Sequence, residues 1–109
     1  MKHKILTGLS AESLRACVPA RYRPRLPDTL PGPFYTLVLF RNDRNDVVLS
    51  RAVESAISDI ADVAEPVVAV GGCFTAEGLE LLRARQATVL QLSEFYWTDE
   101  SYRAIREPR

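Results

Sequence analysis

The chain has 109 residues, of which 47% are hydrophobic and 26% charged, and its 14 basic and 14 acidic side chains cancel. This composition excludes a largely disordered chain, and the zero net charge excludes the overall positive field that marks many nucleic-acid-binding proteins. The length predicts a single domain over residues 1–109 with one modest core.

The two cysteines, Cys17 and Cys73, form no CxxC pattern. No signal peptide is visible in residues 1–9, and no apolar run is long enough to span a bilayer. These features predict a cytoplasmic protein with free thiols, no membrane partner and no cofactor. The single histidine, His3, stands near a chain end that we expect to be mobile, so a zinc site is not expected.

The first third of the chain is predicted to contain one short helix. Ser10 is a suitable N-cap, and the helix covers about residues 11–18, before Pro19. Residues 1–9 should be frayed or form a short edge element. Residues 19–33 are basic and rich in proline, which favours an extended arm or edge strand that passes into a loop.

The remaining chain alternates between apolar, β-rich runs and helical patterns. The predicted strands cover about residues 34–40, 67–70 and 87–92, and the predicted helices about 47–64, 76–86 and 98–106. Helices between short buried strands require crossover connections, so the strands should be parallel. The sequence therefore predicts an α/β fold with a small, mainly parallel sheet flanked by helices.

The clearest amphipathic helix is the one over 47–64, with Asn45 or Asp46 as its cap. Its apolar stripe begins at Leu49 and ends at Ala64. Across all elements, the spacing places these residues in the core: Val53, Ile57, Ile60, Val68, Val70, Leu79, Leu82, Val89 and Leu92.

A glycine-rich turn between a predicted strand and a predicted helix is one candidate site. Gly71, Gly72, Cys73 and Thr75 lie where parallel α/β sheets bind phosphates and other ligands, because helix N-terminal amides point there. The alternative is that the glycines only allow a tight turn, with Thr75 as the helix cap. Cys73 could be a reactive thiol at the helix start, or a small buried apolar residue.

Alternating arginines form a second candidate site. If residues 19–33 are extended, Arg21, Arg23 and Arg25 point to one side and Tyr22 to the other, a ridge suited to a phosphate backbone. Arg41, after the strand over 34–40, belongs to the same predicted nucleic-acid surface. The alternative is a solvated arm whose arginines pair with acidic helices.

The aromatic residues Phe95, Tyr96 and Trp97 precede the last predicted helix. Tyr and Trp are enriched at protein interfaces, so this group could drive dimerisation. It could equally close one end of the core.

The segment VVAVGGCFTAEGLELLRARQATVLQLSEF resembles the C-terminal half of restriction-endonuclease-like (PD-(D/E)xK) nuclease domains. Gly72, Phe74, Thr75 and Leu79 match the small-residue turn and helix of that family. Upstream, Pro27 and Asp28 resemble its PD element. The resemblance implies a nuclease-like α/β scaffold over about the last seventy-five residues.

The sequence departs from that family at the E-x-K element, where it has Leu39-Phe40-Arg41. Leucine replaces the metal-binding carboxylate, so no catalytic residue and no metal site are predicted. The first hypothesis is a non-catalytic α/β binding domain that binds nucleic acid or a protein partner, the latter as a subunit of a larger assembly. The alternatives are a small-molecule or phosphate-binding domain at the Gly71–Thr75 turn, and a dimerising interaction module.

Overall fold

The computed structural model describes residues 3–18, 20–26, 32–40 and 47–91, with their side chains other than those of Arg21, Tyr22 and Arg25. This part of the chain has the predicted α/β class. Its elements are β1 (His3–Leu9), α1 (Ala11–Cys17), a 3-10 helix (Ala20–Arg25), β2 (Tyr35–Phe40), α2 (Ser50–Asp59), β3 (Val67–Gly71), α3 (Ala76–Ala84) and β4 (Thr88–Gln91).

The four strands form one mixed sheet in the order β1-β2-β3-β4. As predicted, β2, β3 and β4 run parallel to one another. β1 pairs antiparallel with β2. The prediction of three strands was therefore incomplete: residues 3–9 form an edge strand, one of the two expected alternatives, because the apolar strand β2 offers them a partner.

The two central strands are buried throughout, which is typical of strands covered on both faces. Because successive side chains point to opposite faces, each strand contributes to two clusters. The first cluster includes Leu37, Leu39, Val68 and Val70, with Leu6, Leu9, Leu14 and Val18 from β1, α1 and the residue after it. The second includes Val38, Phe40, Val67 and Ala69, with Val53, Ala56, Ile60, Phe74 and Leu82 from the α2 and α3 side.

Most of the predicted core residues are confirmed. The buried ones are Val53, Ile60, Val68, Val70 and Leu82. The partly buried ones, which pack against the second cluster, are Ile57, Leu79 and Val89. Leu92 lies outside the described residues.

α1 begins and ends as predicted. The Ser10 hydroxyl accepts a hydrogen bond from the Ser13 N–H at 3.2 Å, so Ser10 is the N-cap. Residues 20–25 differ from the prediction, since they form a 3-10 helix with Pro24 inside it instead of an extended arm. Proline fixes φ near −65°, a value that suits a helical turn as well as an extended segment.

α2 is shorter than the predicted helix over 47–64. Its N-cap is Leu49, without a side-chain capping bond, so neither of the predicted caps is used. Val48 forms a parallel bridge with Phe74, and Leu49 has an extended backbone before Ser50. As a result Leu49 is 45% exposed and not part of the buried stripe. Ala64, predicted at the end of the stripe, is exposed beyond the helix.

Arg85, which follows α3, bonds to backbone carbonyls that follow the C-terminal end of α2. The Arg85 guanidinium donates hydrogen bonds to the carbonyl oxygens of Val63 at 2.7 Å and Ile60 at 3.3 Å. These carbonyls follow α2, which has no basic residue in its last turn. Arg85 therefore supplies a C-terminal cap from a neighbouring helix.

His3 is part of the fold instead of a mobile end, contrary to the prediction. Its side chain is 5% exposed, and Nε2 lies 2.8 Å from Oδ2 of Asp59 at the end of α2. Its ring also lies against Phe40, with centroids 6.2 Å apart. None of the described helices is long and apolar enough to cross a membrane. The predicted helix over 98–106 and the aromatic group at 95–97 lie outside the described residues.

Candidate functional site

The predicted ligand-binding turn lies at the carboxyl edge of the parallel strands. β3 ends at Gly71, and α3 begins after Thr75. The structure thus brings Gly71, Gly72, Cys73 and Thr75 together at the place that the sequence indicated.

Phe74, which the sequence pattern did not mark as a site residue, fills this turn. It is 5% exposed and packs edge-on against Phe40, with ring centroids 5.3 Å apart. A Cβ atom on Gly71 would stand 2.7 Å from Cζ of the Phe74 ring. Gly71 is therefore required for the aromatic ring to pack against the backbone, a structural reason for glycine that needs no ligand.

Several hydrogen-bonding groups of the turn bond to other parts of the chain. The Phe74 N–H donates to Oε1 of Gln91 at 3.3 Å. The Val48 N–H donates to the Cys73 carbonyl at 2.8 Å, and the Thr75 N–H donates to the Val48 carbonyl at 3.2 Å.

Thr75 is the helix cap that the sequence predicts. Its hydroxyl accepts from the Gly78 N–H at 3.1 Å. A phosphate that used the N–H of Phe74, Thr75 or Gly78 would have to displace one of these bonds, and it would meet the carboxylate of Glu77 in the first turn of α3.

Cys73 is exposed, which contradicts its interpretation as a small buried residue. Its Sγ lies 4.0 Å from the Phe74 carbonyl oxygen. His3 is bonded to Asp59, and its ring contacts Phe40. Within the described part of the chain, no three His, Cys, Asp or Glu side chains are grouped to hold a metal ion.

Of the predicted nucleic-acid-binding residues, Arg23 is the one whose side chain the structure describes. Its Nε donates to the carbonyl oxygens of Arg15 at 2.9 Å and Val18 at 3.0 Å, so it caps the end of α1. The extended conformation that would align it with its neighbours is replaced by the 3-10 helix. The side chains of Arg21 and Arg25, and all of Arg41, lie outside the described residues.

A different feature stands out at the same edge of the sheet. Residues 47–49 run beside residues 73–75, and Val48 and Phe74 point inward, 3% and 5% exposed. In an extended chain the neighbours of an inward residue point outward. Val47 and Leu49 are accordingly 44% and 45% exposed, and Cys73 is exposed beside them. We call Val47, Leu49 and Cys73 the edge patch.

The edge patch was not predicted from the sequence, because Leu49 was assigned to a buried helical stripe. The pairing that exposes Leu49 joins Val48 to a residue 26 positions away. No local pattern signals such a contact. The apolar triplet Val47-Val48-Leu49 directly before Ser50 was the available signal, since an apolar run before a helix start can be an extended segment.

A groove between α2 and α3 has a volume of 310 Å³ and is acidic. Its lining residues are Ser50, Glu54, Glu77, Glu80, Leu81 and Ala84. Carboxylates at this position repel an anion near the start of α3. The groove thus gives no support to a phosphate site.

Two groups with shifted pKa values lie away from the turn. Burial raises the pKa of the Cys17 thiol, although nearby Lys4 acts in the opposite direction. This favours the neutral, unreactive thiol. The pKa of Glu65 is lowered by hydrogen bonds from Thr36 and Gly8.

Comparisons of the chain with protein-family models, with curated proteins and with solved structures gave no match. The function of the chain must therefore be inferred from the geometry of the described residues.

Proposed function

We propose that this chain is a non-catalytic protein-binding domain that associates with a second copy of itself through the edge patch. The observation that carries the proposal is the outward orientation of Val47 and Leu49, on either side of the buried Val48. Contiguous exposed apolar patches mark interaction sites on protein surfaces.

Two further properties favour a second copy as the partner. A twofold interface brings the same residues of both copies together, and the edge patch carries no charged side chain that would repel its equivalent. The chain has no net charge, so two copies experience little overall repulsion.

The non-catalytic part of the proposal draws support from Leu39. In the nuclease-like scaffold that the sequence resembles, this position corresponds to a metal-binding carboxylate. Here it holds a leucine that is fully buried in the first core cluster. An apolar side chain cannot ligate a divalent cation. The nuclease-like relationship itself stays a proposal based on sequence pattern.

The test is the mass of the full chain in solution as a function of concentration, by sedimentation or light scattering. We expect a monomer–dimer equilibrium for the wild type and a monomer for Leu49→Ser. The serine should not harm the fold, because Leu49 is the uncapped N-cap position of α2 and serine is a preferred N-cap.

Phe34→Ser is the matched control. Phe34 is also an exposed apolar residue, 53% exposed, but it lies just before the first residue of β2 and is not part of the edge patch. It should dimerise like the wild type. Mild oxidation provides a second readout: Cys73 should form an intermolecular disulfide, which Cys73→Ser removes and Cys17→Ser leaves intact. A wild-type chain that stays monomeric at all concentrations contradicts the proposal.

A further inference from the structure

Glu65 joins β1 to the rest of the sheet through one carboxylate oxygen. Its Oε1 accepts a hydrogen bond from the Gly8 N–H at 2.8 Å and another from the Thr36 hydroxyl at 2.5 Å. Gly8 belongs to β1 and Thr36 to β2, while Glu65 lies between α2 and β3. Three segments that are distant in sequence therefore meet at this carboxylate.

The Gly8 end of β1 is irregular. The pairing register with β2 shifts between Leu6 and Leu9, and Gly8 has φ of +67°. At such a bulge the regular ladder of backbone bonds is interrupted. The bond from Gly8 to Glu65 thus holds β1 where its own pairing is weakest.

The Thr36 side chain is fully buried, and Glu65 is the acceptor that satisfies its hydroxyl. A buried hydroxyl without a partner is costly, so the chain depends on this carboxylate more than on an ordinary surface one. Hydrogen bonds to an ionised acceptor are also stronger than those to a neutral one.

We propose that Glu65 is an acid-sensitive clasp: its carboxylate holds the Gly8 end of β1 and the start of α1 on the sheet, and its protonation loosens that end while the central strands stay folded. The clasp lies in the α2–β3 connection and beside the start of β2, and it is independent of the proposed self-association.

The direction of the pH effect follows from the two hydrogen bonds. The bond from Thr36, and then that from Gly8, lower the pKa of Glu65 below its ordinary value of 4.5, while burial opposes them. A carboxylate with a lowered pKa stabilises the fold fully above its ordinary value. The stabilisation is lost as the pH falls through the lowered pKa.

The other titratable groups on the elements that pack against β1 are Glu12, Arg15 and Cys17 on α1, Tyr35 on β2, and Arg51, Glu54 and Asp59 on α2. Asp59 bonds to His3, and the Tyr35 hydroxyl donates to the Gly32 carbonyl. The causes of the Glu65 shift contain no charged side chain, only the two hydrogen bonds and burial. We therefore expect protonation of the Glu65 carboxylate to weaken the two hydrogen bonds that hold the Gly8 end of β1.

The test is amide hydrogen exchange of the full chain by NMR, expressed as protection factors, between about pH 7 and about pH 2, because the Glu65 carboxylate has to be taken below its lowered pKa. The protection factor of the Gly8 amide should fall by about tenfold or more, as expected for loss of a hydrogen bond to a charged group. The amides of Val68 and Val70 in β3 should keep theirs. Equal loss at Gly8 and at these β3 amides, or no loss at Gly8, would overturn the proposal.

Glu65→Gln removes this one ionisable group, so it distinguishes the effect of Glu65 from the effects of other carboxylates that are protonated in acid. Gly8 should then be weakly protected at both pH values, whereas the exposed control Glu54→Gln should behave like the wild type. Thr36→Val removes the stronger of the two donors, so the loss of Gly8 protection should move to higher pH. A Glu65→Gln protein that retains the full pH dependence at Gly8 contradicts the clasp.

Discussion

The ring of Phe74 packs directly against the backbone of Gly71, so closely that a Cβ atom on the glycine would stand 2.7 Å from Cζ. Contacts below 3.0 Å of this kind force a shift of one partner. Because Phe74 is itself held by Phe40 in the second core cluster, the ring has little room to move. The glycine and the phenylalanine are thus one packing unit at the carboxyl edge of β3.

We expect Gly71→Ala to lower the free energy of unfolding by about 1–3 kcal/mol, the usual cost of overpacking. Urea unfolding measures this quantity. Phe74→Leu leaves space where the ring lies. In the Phe74→Leu background, Gly71→Ala should therefore lower the free energy of unfolding by less than it does in the wild type. Equal costs in both backgrounds would show that the two side chains do not interact.

Ile60 and Ile57 should differ in their contribution to stability, although the sequence pattern treats them alike. Ile60 is 1% exposed, while Ile57 is only partly buried against the same cluster. Ile60→Ala should lower the free energy of unfolding by about 2–5 kcal/mol, and Ile57→Ala should lower it by less. The exposed neighbour Ser58→Ala serves as the control, with a change within about 0.5 kcal/mol. A larger loss for Ile57 than for Ile60 would mean that α2 is rotated about its axis.

Arg85→Ala should destabilise the fold by about 1–3 kcal/mol, because the carbonyls of Ile60 and Val63 lose a charged donor. Arg85→Lys should recover part of this loss, since both bonds come from the single nitrogen Nη2 and an ammonium group also donates several bonds, but from a shorter side chain. Arg83→Ala is the matched control: Arg83 is exposed in the last turn of the same helix. If both alanine variants unfold at the same urea concentration, the capping role of Arg85 is refuted.

Arg23 distinguishes capping from nucleic-acid binding. We expect Arg23→Ala to lower the free energy of unfolding by about 1 kcal/mol, since its Nε bonds the carbonyls of Arg15 and Val18. Binding of single- and double-stranded probes, measured over a range of salt concentrations, tests the other role. Steeply salt-dependent binding that Arg23→Ala weakens, with unchanged stability, would favour the nucleic-acid hypothesis over capping. Arg51→Ala, exposed on α2, is the control.

Local sequence signals were sufficient for the starts of α1 and α3 and for the central strands. Ser10 and Thr75 were identifiable as caps because a cap bonds only to residues a few positions away. The nearly continuous apolar run of β2 indicated burial on both faces, and its one strongly polar residue, Thr36, is buried as well.

The errors concern residues whose environment depends on distant partners. The burial of His3 depends on Asp59, 56 positions along the chain. Leu49 is exposed because Val48 pairs with Phe74. The candidate turn was located correctly, but its closure by Phe74 and Gln91 could not be predicted, because both contacts cross between elements.

The spatial order of the strands matches their order in the chain. Each described strand after β1 therefore pairs with the strand that precedes it in the chain, and no strand has to be inserted between two that are already paired. A sheet of this kind grows by addition at one edge. During synthesis, which releases the N-terminal part first, β1 and β2 leave the ribosome before β3 and β4. We expect partly made chains to extend the sheet in the direction of translation, so that β4 is the last strand to join.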